Sequence, residues 1–233
     1  MKILITGAGG GLGSYLTMLA LERGHEVYAT GTKHIHSSEP LRDLKQQYGA
    51  RLHIAEMNVE DEDQVRAVAD LIGKECGCLD GILNNAGVLL EREKTIEELD
   101  LSQVVKSFQI NTVGPMRVVQ QMLSLLYKGA NQAIINISSE AGTIINAFPT
   151  NYAYSMSKTA LNMFSERLRE YLKGQDILVY AIHPGWMRTN MGGNDAPADP
   201  RDIAGGILDI MERRKHSYSK IAFIDSTGRP MPL

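Results

Sequence analysis

Lys2-Ile3-Leu4-Ile5-Thr6-Gly7-Ala8-Gly9-Gly10-Gly11-Leu12-Gly13 is an apolar run that breaks into glycine, and Tyr15, Leu16, Leu19 and Ala20 then continue it at helical spacing. A strand turning tightly into a helix is written this way. Glycines at such a turn let the backbone approach a pyrophosphate closely, and the helix behind it supplies free amides and partial positive charge. No Lys-Ser pair follows the loop, so the residues that would hold a β/γ-phosphate and Mg²⁺ are missing and a P-loop reading fails. A dinucleotide is the ligand left, with Gly7, Gly9, Gly11, Leu12 and Gly13 as its expected contacts.

The same alternation runs along all 233 residues. Strands are predicted at 2–6, 26–30, 51–55, 79–83, 132–137, 177–182 and 220–224, and helices at 11–23, 39–48, 60–74, 95–127, 152–173 and 199–213. Short apolar runs separated by helices imply a parallel sheet covered on both faces, in one domain spanning 1–233. In the fifth helix Met156, Ala160, Met163, Phe164, Leu168 and Tyr171 form one apolar stripe, read mainly as core with an exposed remainder that could meet a second subunit. Residues 190–200, with Gly192, Gly193, Pro197 and Pro200, read as a long flexible loop.

Composition excludes several classes. Lys and Arg number 24 against 27 Asp and Glu, so no basic excess points to nucleic acid. The apolar start stops at Thr6, too early for a signal peptide, and no stretch approaches the roughly 20 residues of a membrane span. Cys76 and Cys78 flank one glycine and read as reduced thiols of a cytoplasmic protein, with no metal site. His34 and His36 lack further ligands and read as surface residues.

Chemistry concentrates near residue 154. Tyr154 stands four residues before Lys158, and residues four apart share a helix face, so phenol and ammonium can point into one pocket. A nearby positive charge favours phenolate and suits the tyrosine to proton exchange with an alcohol or carbonyl. Tyr152 is a second phenol, but its offset points it elsewhere. At the end of the second strand an acid would bind a ribose 2′-hydroxyl and repel a 2′-phosphate. Thr30-Gly31-Thr32-Lys33 stands there instead, and with hydroxyls and an ammonium at Thr32 and Lys33, NADP(H) is expected over NAD(H).

These residues resemble the short-chain dehydrogenases/reductases over nearly the whole chain. Thr6, Gly7, Gly11 and Gly13 fit TGxxxGxG, Asn84-Asn85-Ala86-Gly87 fits NNAG, Ile137-Ser138-Ser139 ends the fifth strand, Tyr154 to Lys158 fits YxxxK, and Pro184-Gly185 fits the PG turn. The segment 183–189 and the ending 225–233 are most similar to the carbonyl-reductase-like branch that includes the C-factor signalling proteins. The resemblance implies a doubly wound Rossmann fold with strand order 3-2-1-4-5-6-7.

It also implies roles. Tyr154 would be the general acid or base, and Lys158 would lower its pKa and hold the nicotinamide ribose. Ser139 would bind the substrate oxygen, with Ser138 as the fallback. Asn111, at an irregularity in its helix, would hold a relay water; without the motif it reads as a helix asparagine bonded to backbone. Asn58, Val59, Asn85, Ala86 and Gly87 would line the adenosine side, and Pro184, Gly185, Met187 and Thr189 the nicotinamide side. Ser139 and Tyr154 are fifteen residues apart, two more than is usual in the family, so a longer loop is expected between them. Gly10 stands where many NADP-dependent members carry a basic residue, which keeps NAD(H) as the alternative.

An NADPH-dependent reductase of small carbonyl compounds, working in a homodimer or homotetramer, is the leading expectation. A dinucleotide-binding regulatory or signalling protein with incidental activity is the second. A nucleotide-sugar epimerase would need a sugar-binding lobe, for which the stretch after Ile182 is short. Ile145, Phe148, Trp186, Met187 and Met191 are the expected apolar lining of the substrate pocket.

Overall fold

The computed structural model describes residues 1–32 and 34–233; Lys33, expected at the cofactor ribose, lies outside the described residues. Strands β1 (Lys2–Thr6), β2 (Glu26–Gly31), β3 (Leu52–Glu56), β4 (Gly81–Asn84), β5 (Ala133–Ile137), β6 (Leu178–His183) and β7 (Phe223–Asp225) form one parallel sheet. Their order is β3-β2-β1-β4-β5-β6-β7. This is the doubly wound arrangement expected, and its order reverses between β1 and β4.

Side chains of a strand alternate between faces, so each face of the sheet takes its own residues. Ile3 and Ile5 pack with helices α1 (Gly11–Glu22), α2 (Glu39–Tyr48) and α7 (Pro200–Met211) through Leu16, Leu41, Ile207 and Leu208. Leu4 packs on the other face with α3 (Glu62–Glu75), α5 (Gly114–Leu126) and α6 (Tyr152–Leu172) through Val65, Ile72, Met122 and Leu172. Burial on both faces is why β1 reads as an unbroken apolar run.

The helix predicted over 95–127 is not continuous. Thr95 and Glu98 close a capping box around a single turn, Ile96–Glu98, and the Asp100 carboxylate then accepts from Ser102 N at 2.8 Å to start α4 (Leu101–Phe108). Gln109–Val113 form a π-helical turn before α5. Pro115 has no N–H to offer the Asn111 carbonyl four residues back, and Gly114 N bonds Gln109 O, five back.

Strand β7 is shorter than the predicted 220–224. The Lys220 carbonyl accepts from Arg169 and Ala222 N donates to Glu166, so side chains of α6 take the backbone groups that a longer strand would have paired.

The apolar stripe assigned to the fifth helix faces largely outward. Met156, Met163 and Tyr171 are exposed, at 43%, 63% and 70%. The inward face of α6 is Ala153, Ser157, Lys158, Leu161, Asn162, Ser165, Leu168 and Leu172. Its polar members meet polar partners: Asn136 Nδ2 donates to Ser165 Oγ at 2.8 Å and itself accepts from Asn84, while Ser138 Oγ donates to Asn162 Oδ1 at 2.5 Å. Paired in this way, with only the Asn84 Oδ1 of the set left without a protein partner, these groups are buried at a cost that hydrophobic periodicity alone misses.

Residues 190–200 carry no regular element before Pro200, but they are pinned. Trp186 Nε1 donates to Gly192 O at 2.7 Å, Arg188 N and Ala198 N bond back across the loop, and Arg188 reaches Pro197 O and Asp199.

Candidate functional site

The glycine turn serves two purposes. Gly7 has φ +63°, a conformation that side chains disfavour, and a Cβ there would stand 2.9 Å from Ala86 Cα. A Cβ on Gly13 would stand 2.2 Å from Gly7 O, while one on Gly10 would meet nothing within 4 Å. Gly13 thus seats α1 on the turn, and it is not among the lining residues of the two cavities described below. Gly13→Ala is expected to cost about 1–3 kcal/mol and to lower the unfolding midpoint of the cofactor-free protein by several degrees, whereas Gly10→Ala leaves it within about 1 °C. Scanning calorimetry of both variants checks this, and equal midpoints would refute the packing role.

Asn85 ties β4 to this turn. Its side-chain amide donates to Thr6 O and Gly7 O at 3.0 and 3.1 Å, and Thr6 Oγ1 accepts from Asn85 N and Ala86 N. With its side chain committed to the turn, Asn85 presents backbone to the cavity.

Two cavities of about 570 and 460 Å³ lie over the carboxyl ends of the strands, and Gly7, Ala86 and Gly87 line both. Such a trough, meeting at the switch point of the sheet, suits an elongated ligand. The smaller cavity is lined by Gly9, Thr32, Asn58 and Val59. Asn58 Oδ1 already accepts from Glu60 N at 3.1 Å, so the acceptor expected for adenine is shared with a local turn. The larger cavity gathers Gly11, Leu12, Ser139, Tyr154, Lys158, Pro184, Gly185, Met187 and Thr189. Tyr152 is not among its lining residues.

Ser139 is brought to Tyr154 by a close contact that the sequence reading did not single out. After Ser139 the chain makes one turn, Glu140–Gly142, and a Cβ on Gly142 would lie 2.8 Å from the Lys158 carbonyl carbon. Thr159 Oγ1 donates to Gly142 O at 3.0 Å and holds the approach. Ser139 Oγ accepts from Ala141 N at 3.1 Å, and its hydroxyl stands close enough to the Tyr154 phenol to favour the phenolate. The fallback serine, Ser138, also lines the larger cavity, but it is buried and its hydroxyl donates to Asn162 Oδ1.

Lys158 is buried. Nζ donates to Ile137 O at 2.7 Å and lies 5.6 Å from the Tyr154 ring centroid. Burial lowers its pKa to about 8, so the ammonium still predominates at pH 7. Tyr154 keeps a window to the cavity, but surrounding protein strips water from its hydroxyl and raises its pKa, with the Ser139 hydroxyl pulling it partly back. The expected lowering by Lys158 is therefore not the dominant effect on this phenol; desolvation is.

Asn111 is fully buried in the π-helical turn. Its Oδ1 accepts from Val88 N at 2.8 Å, and Nδ2 donates to Val88 O at 2.9 Å and Ser157 Oγ at 3.0 Å. The side chain clamps the strand-end loop to α6, close to the backbone-bonded alternative. What the π-helical turn adds is an Asn111 carbonyl without its α-helical donor; the Asn111 side chain stands near Lys158, since a Cβ on Gly87 would lie 3.2 Å from Asn111 Oδ1 and 3.6 Å from Lys158 Nζ.

Phe148, Trp186, Met187 and Met191 line the cavity as expected. Ile145 does not: it is 69% exposed, with its N–H on Leu233 O, because the lengthened loop after Ser139 turns its apolar residues outward. Arg92, Asn151 and His183 are lining residues that no motif announced. His183 Nδ1 accepts from Glu140 N at 3.0 Å, and burial lowers its pKa, so it is a neutral brace for the serine turn.

A glycine turn at a switch point and a Ser-Tyr-Lys group lining the adjoining cavity define a Rossmann-fold oxidoreductase. The short chain dehydrogenase family model matches residues 1–199, and the chain belongs to that family. It is 33% identical over 157 residues to the C-signal protein of Myxococcus xanthus, covering 67% of this chain and 93% of that protein. Among solved structures it resembles the carbonyl reductase Sniffer of D. melanogaster, with a TM-score of 0.88, 29% identity, and coverage of 100% of this chain and 99% of that one. An NADPH-bound carbonyl reductase from chicken fatty liver is similar at TM-score 0.87 and 27% identity, with coverage of 100% and 98%. No helix among the described residues is long and apolar enough to cross a membrane.

Proposed function

We propose that the protein is an NADPH-dependent reductase of small carbonyl compounds, with Tyr154 as general acid. The observation that carries this reading is the Ser139–Tyr154–Lys158 group lining the wall of a cavity that begins at the glycine turn. Gly185, Met187 and Thr189 would hold a reduced nicotinamide, which when bound would supply the hydride for a carbonyl carbon. Ser139 donates to the carbonyl oxygen and orients it, as a preorganised donor does where charge develops. Tyr154, neutral because its hydroxyl is desolvated, gives its proton to that oxygen. Lys158 stands beside the phenolate that forms and holds ribose hydroxyls. Asn111 keeps the π-helical turn in register, and its carbonyl receives the water through which Lys158 recovers a proton.

NADP(H) is favoured over NAD(H). Thr32, His34, Ser37 and Ser38 line the end of the smaller cavity and offer donors suited to a 2′-phosphate, and the NADPH-bound relative supports the same choice. The exposed apolar residues Leu101 and Val105 on α4 with Met163 and Tyr171 on α6 support pairing with a second copy.

Nicotinamide absorbance with a panel of aldehydes and ketones tests the reading. Oxidation of NADPH by at least one carbonyl, with NADH at least about tenfold poorer in kcat/KM, is expected. Tight NADPH binding with no turnover across the panel would instead favour the dinucleotide-binding regulatory alternative, which the likeness to the C-signal protein motivates.

A further inference from the structure

Arg92 is the one arginine among the residues lining the larger cavity, and its backbone is unusual. Both neighbours, Glu91 and Glu93, have left-handed backbone, at φ 54° and 62°. Non-glycine residues rarely adopt this conformation, and two flanking one residue persist only where surrounding contacts impose them. The contacts are present: Glu91 Oε2 accepts from Asp100 N at 3.0 Å, and Glu93 N donates to Asn151 Oδ1 at 3.4 Å. Asn151 is itself left-handed, at φ 60°, and lines the same cavity. The strained turn sets Arg92 at the cavity mouth.

Its charge is not used within the protein. Nη1 makes a long hydrogen bond, 3.4 Å, to Met191 O on the opposite loop, and among the described residues Arg92 forms no ion pair. The Glu91 carboxylate is turned to the Asp100 amide, and Glu140, the acid in the cavity lining, lies 4.0 Å from His183 Nε2. Nε and Nη2 form a planar edge suited to a carboxylate. The cavity that Arg92 shares with Tyr154 is also lined by the apolar residues Leu89, Phe148, Trp186 and Met191, beside polar Glu140, Asn151 and Asn190.

We propose that Arg92 is the specificity-determining residue of the substrate pocket and that the substrate is an oxo acid. Its carbonyl sits at Ser139 and Tyr154, an apolar stem spans the wall, and a carboxylate at the far end pairs with Arg92. The inference rests on the reading of this site as a carbonyl reductase and names its substrate class. A chain with net charge −3 has no overall field to attract such an anion, so a local cation is needed at the mouth.

The test compares 4-carboxybenzaldehyde with its neutral ester, methyl 4-formylbenzoate, in NADPH turnover by wild type, Arg92→Lys and Arg92→Met. The wild type should prefer the acid. In Arg92→Met the acid-to-ester ratio of kcat/KM should fall about tenfold or more, chiefly through KM, with Arg92→Lys between the two because a point charge lacks the fork. An unchanged ratio overturns the assignment, and so does an equal loss on both substrates, which would make Arg92 a strap between the loops. Affinity is read separately from the fluorescence of Trp186, the single tryptophan and a lining residue. If NADPH binds but neither aldehyde is reduced, the reductase reading fails. Tighter binding of the acid than of the ester in wild type, lost in Arg92→Met, still upholds the anion site, and equal binding overturns it.

Discussion

Tyr154→Phe is expected to lower NADPH-dependent turnover by about 10²- to 10⁴-fold, the usual size of a general-acid contribution, while NADPH affinity stays within a few-fold of wild type. The hydroxyl that stands near the phenol, Ser139, keeps its bond from Ala141 N when the phenol is gone. The ring remains, so cofactor-free stability should change by less than about 1 kcal/mol. Steady-state rates, NADPH titration and thermal unfolding on the same preparation separate these outcomes. Turnover within threefold of wild type would remove Tyr154 from the chemistry. Under the regulatory alternative the variant keeps its biological effect, and substitutions in the glycine turn abolish it.

Lys158→Met should lose turnover at least as severely and weaken NADPH binding about 10- to 100-fold, the value of a hydrogen bond to a charged group. Its effect on stability has the opposite sign. Below about pH 8 the lysine is protonated in both the folded and unfolded protein, so the full cost of burying the ammonium is present. Between about pH 8 and 10.5 the folded protein releases this proton while the unfolded chain keeps it. The unfolded state then binds more protons, and stability rises with pH across that window, by on the order of 3 kcal/mol from this group alone. Methionine removes that cost and also the bond to Ile137 O, so at pH 7 the variant should unfold no earlier than wild type. Tyr154 acts in the other direction: its raised pKa makes stability fall once the pH exceeds the ordinary tyrosine range near 10. Denaturant titrations of both cofactor-free proteins from pH 7 to 10 check the difference. A wild-type minus variant gap that fails to grow above pH 8 would show that Lys158 carries no buried-charge cost. The same ionisation should make carbonyl reduction fall above about pH 8, as the positive charge beside Tyr154 is lost.

The two substitutions together describe a site that trades stability for function. A fully buried ammonium held by one carbonyl is costly, and nothing in the packing of α6 requires it.

Much of this was legible in the residues. The apolar run before the glycines, repeated with helices between, specifies a parallel sheet because strands buried on both faces must be apolar on both. Tyr154 and Lys158 were readable as a pair because helical spacing is fixed by backbone geometry. An irregularity in the helix at Asn111 was expected from the resemblance; it is a π-helical turn, and Pro115 supplies its physical cause. Other features could not be read locally. The apolar stripe on α6 pointed largely to the wrong face, Leu168 excepted, because half of the buried face is polar and matched to Asn136, Ser138 and Asn111 on elements far away in sequence. Ile145 and Phe148 were equivalent in sequence, yet only Phe148 turns into the cavity.

The sequence by itself determined the order of elements, the glycine turn and the Tyr154–Lys158 spacing, since each depends on local geometry and on which residues must leave water. Only the tertiary structure decided that Gly13 packs against the Gly7 carbonyl, that burial rather than Lys158 governs the Tyr154 phenol, and that Arg92 lines the cavity with no ion pair among the described residues. Those outcomes depend on what a side chain meets across the sheet. Desolvation and hydrogen-bond partnership are properties of the folded surroundings, which no residue carries alone.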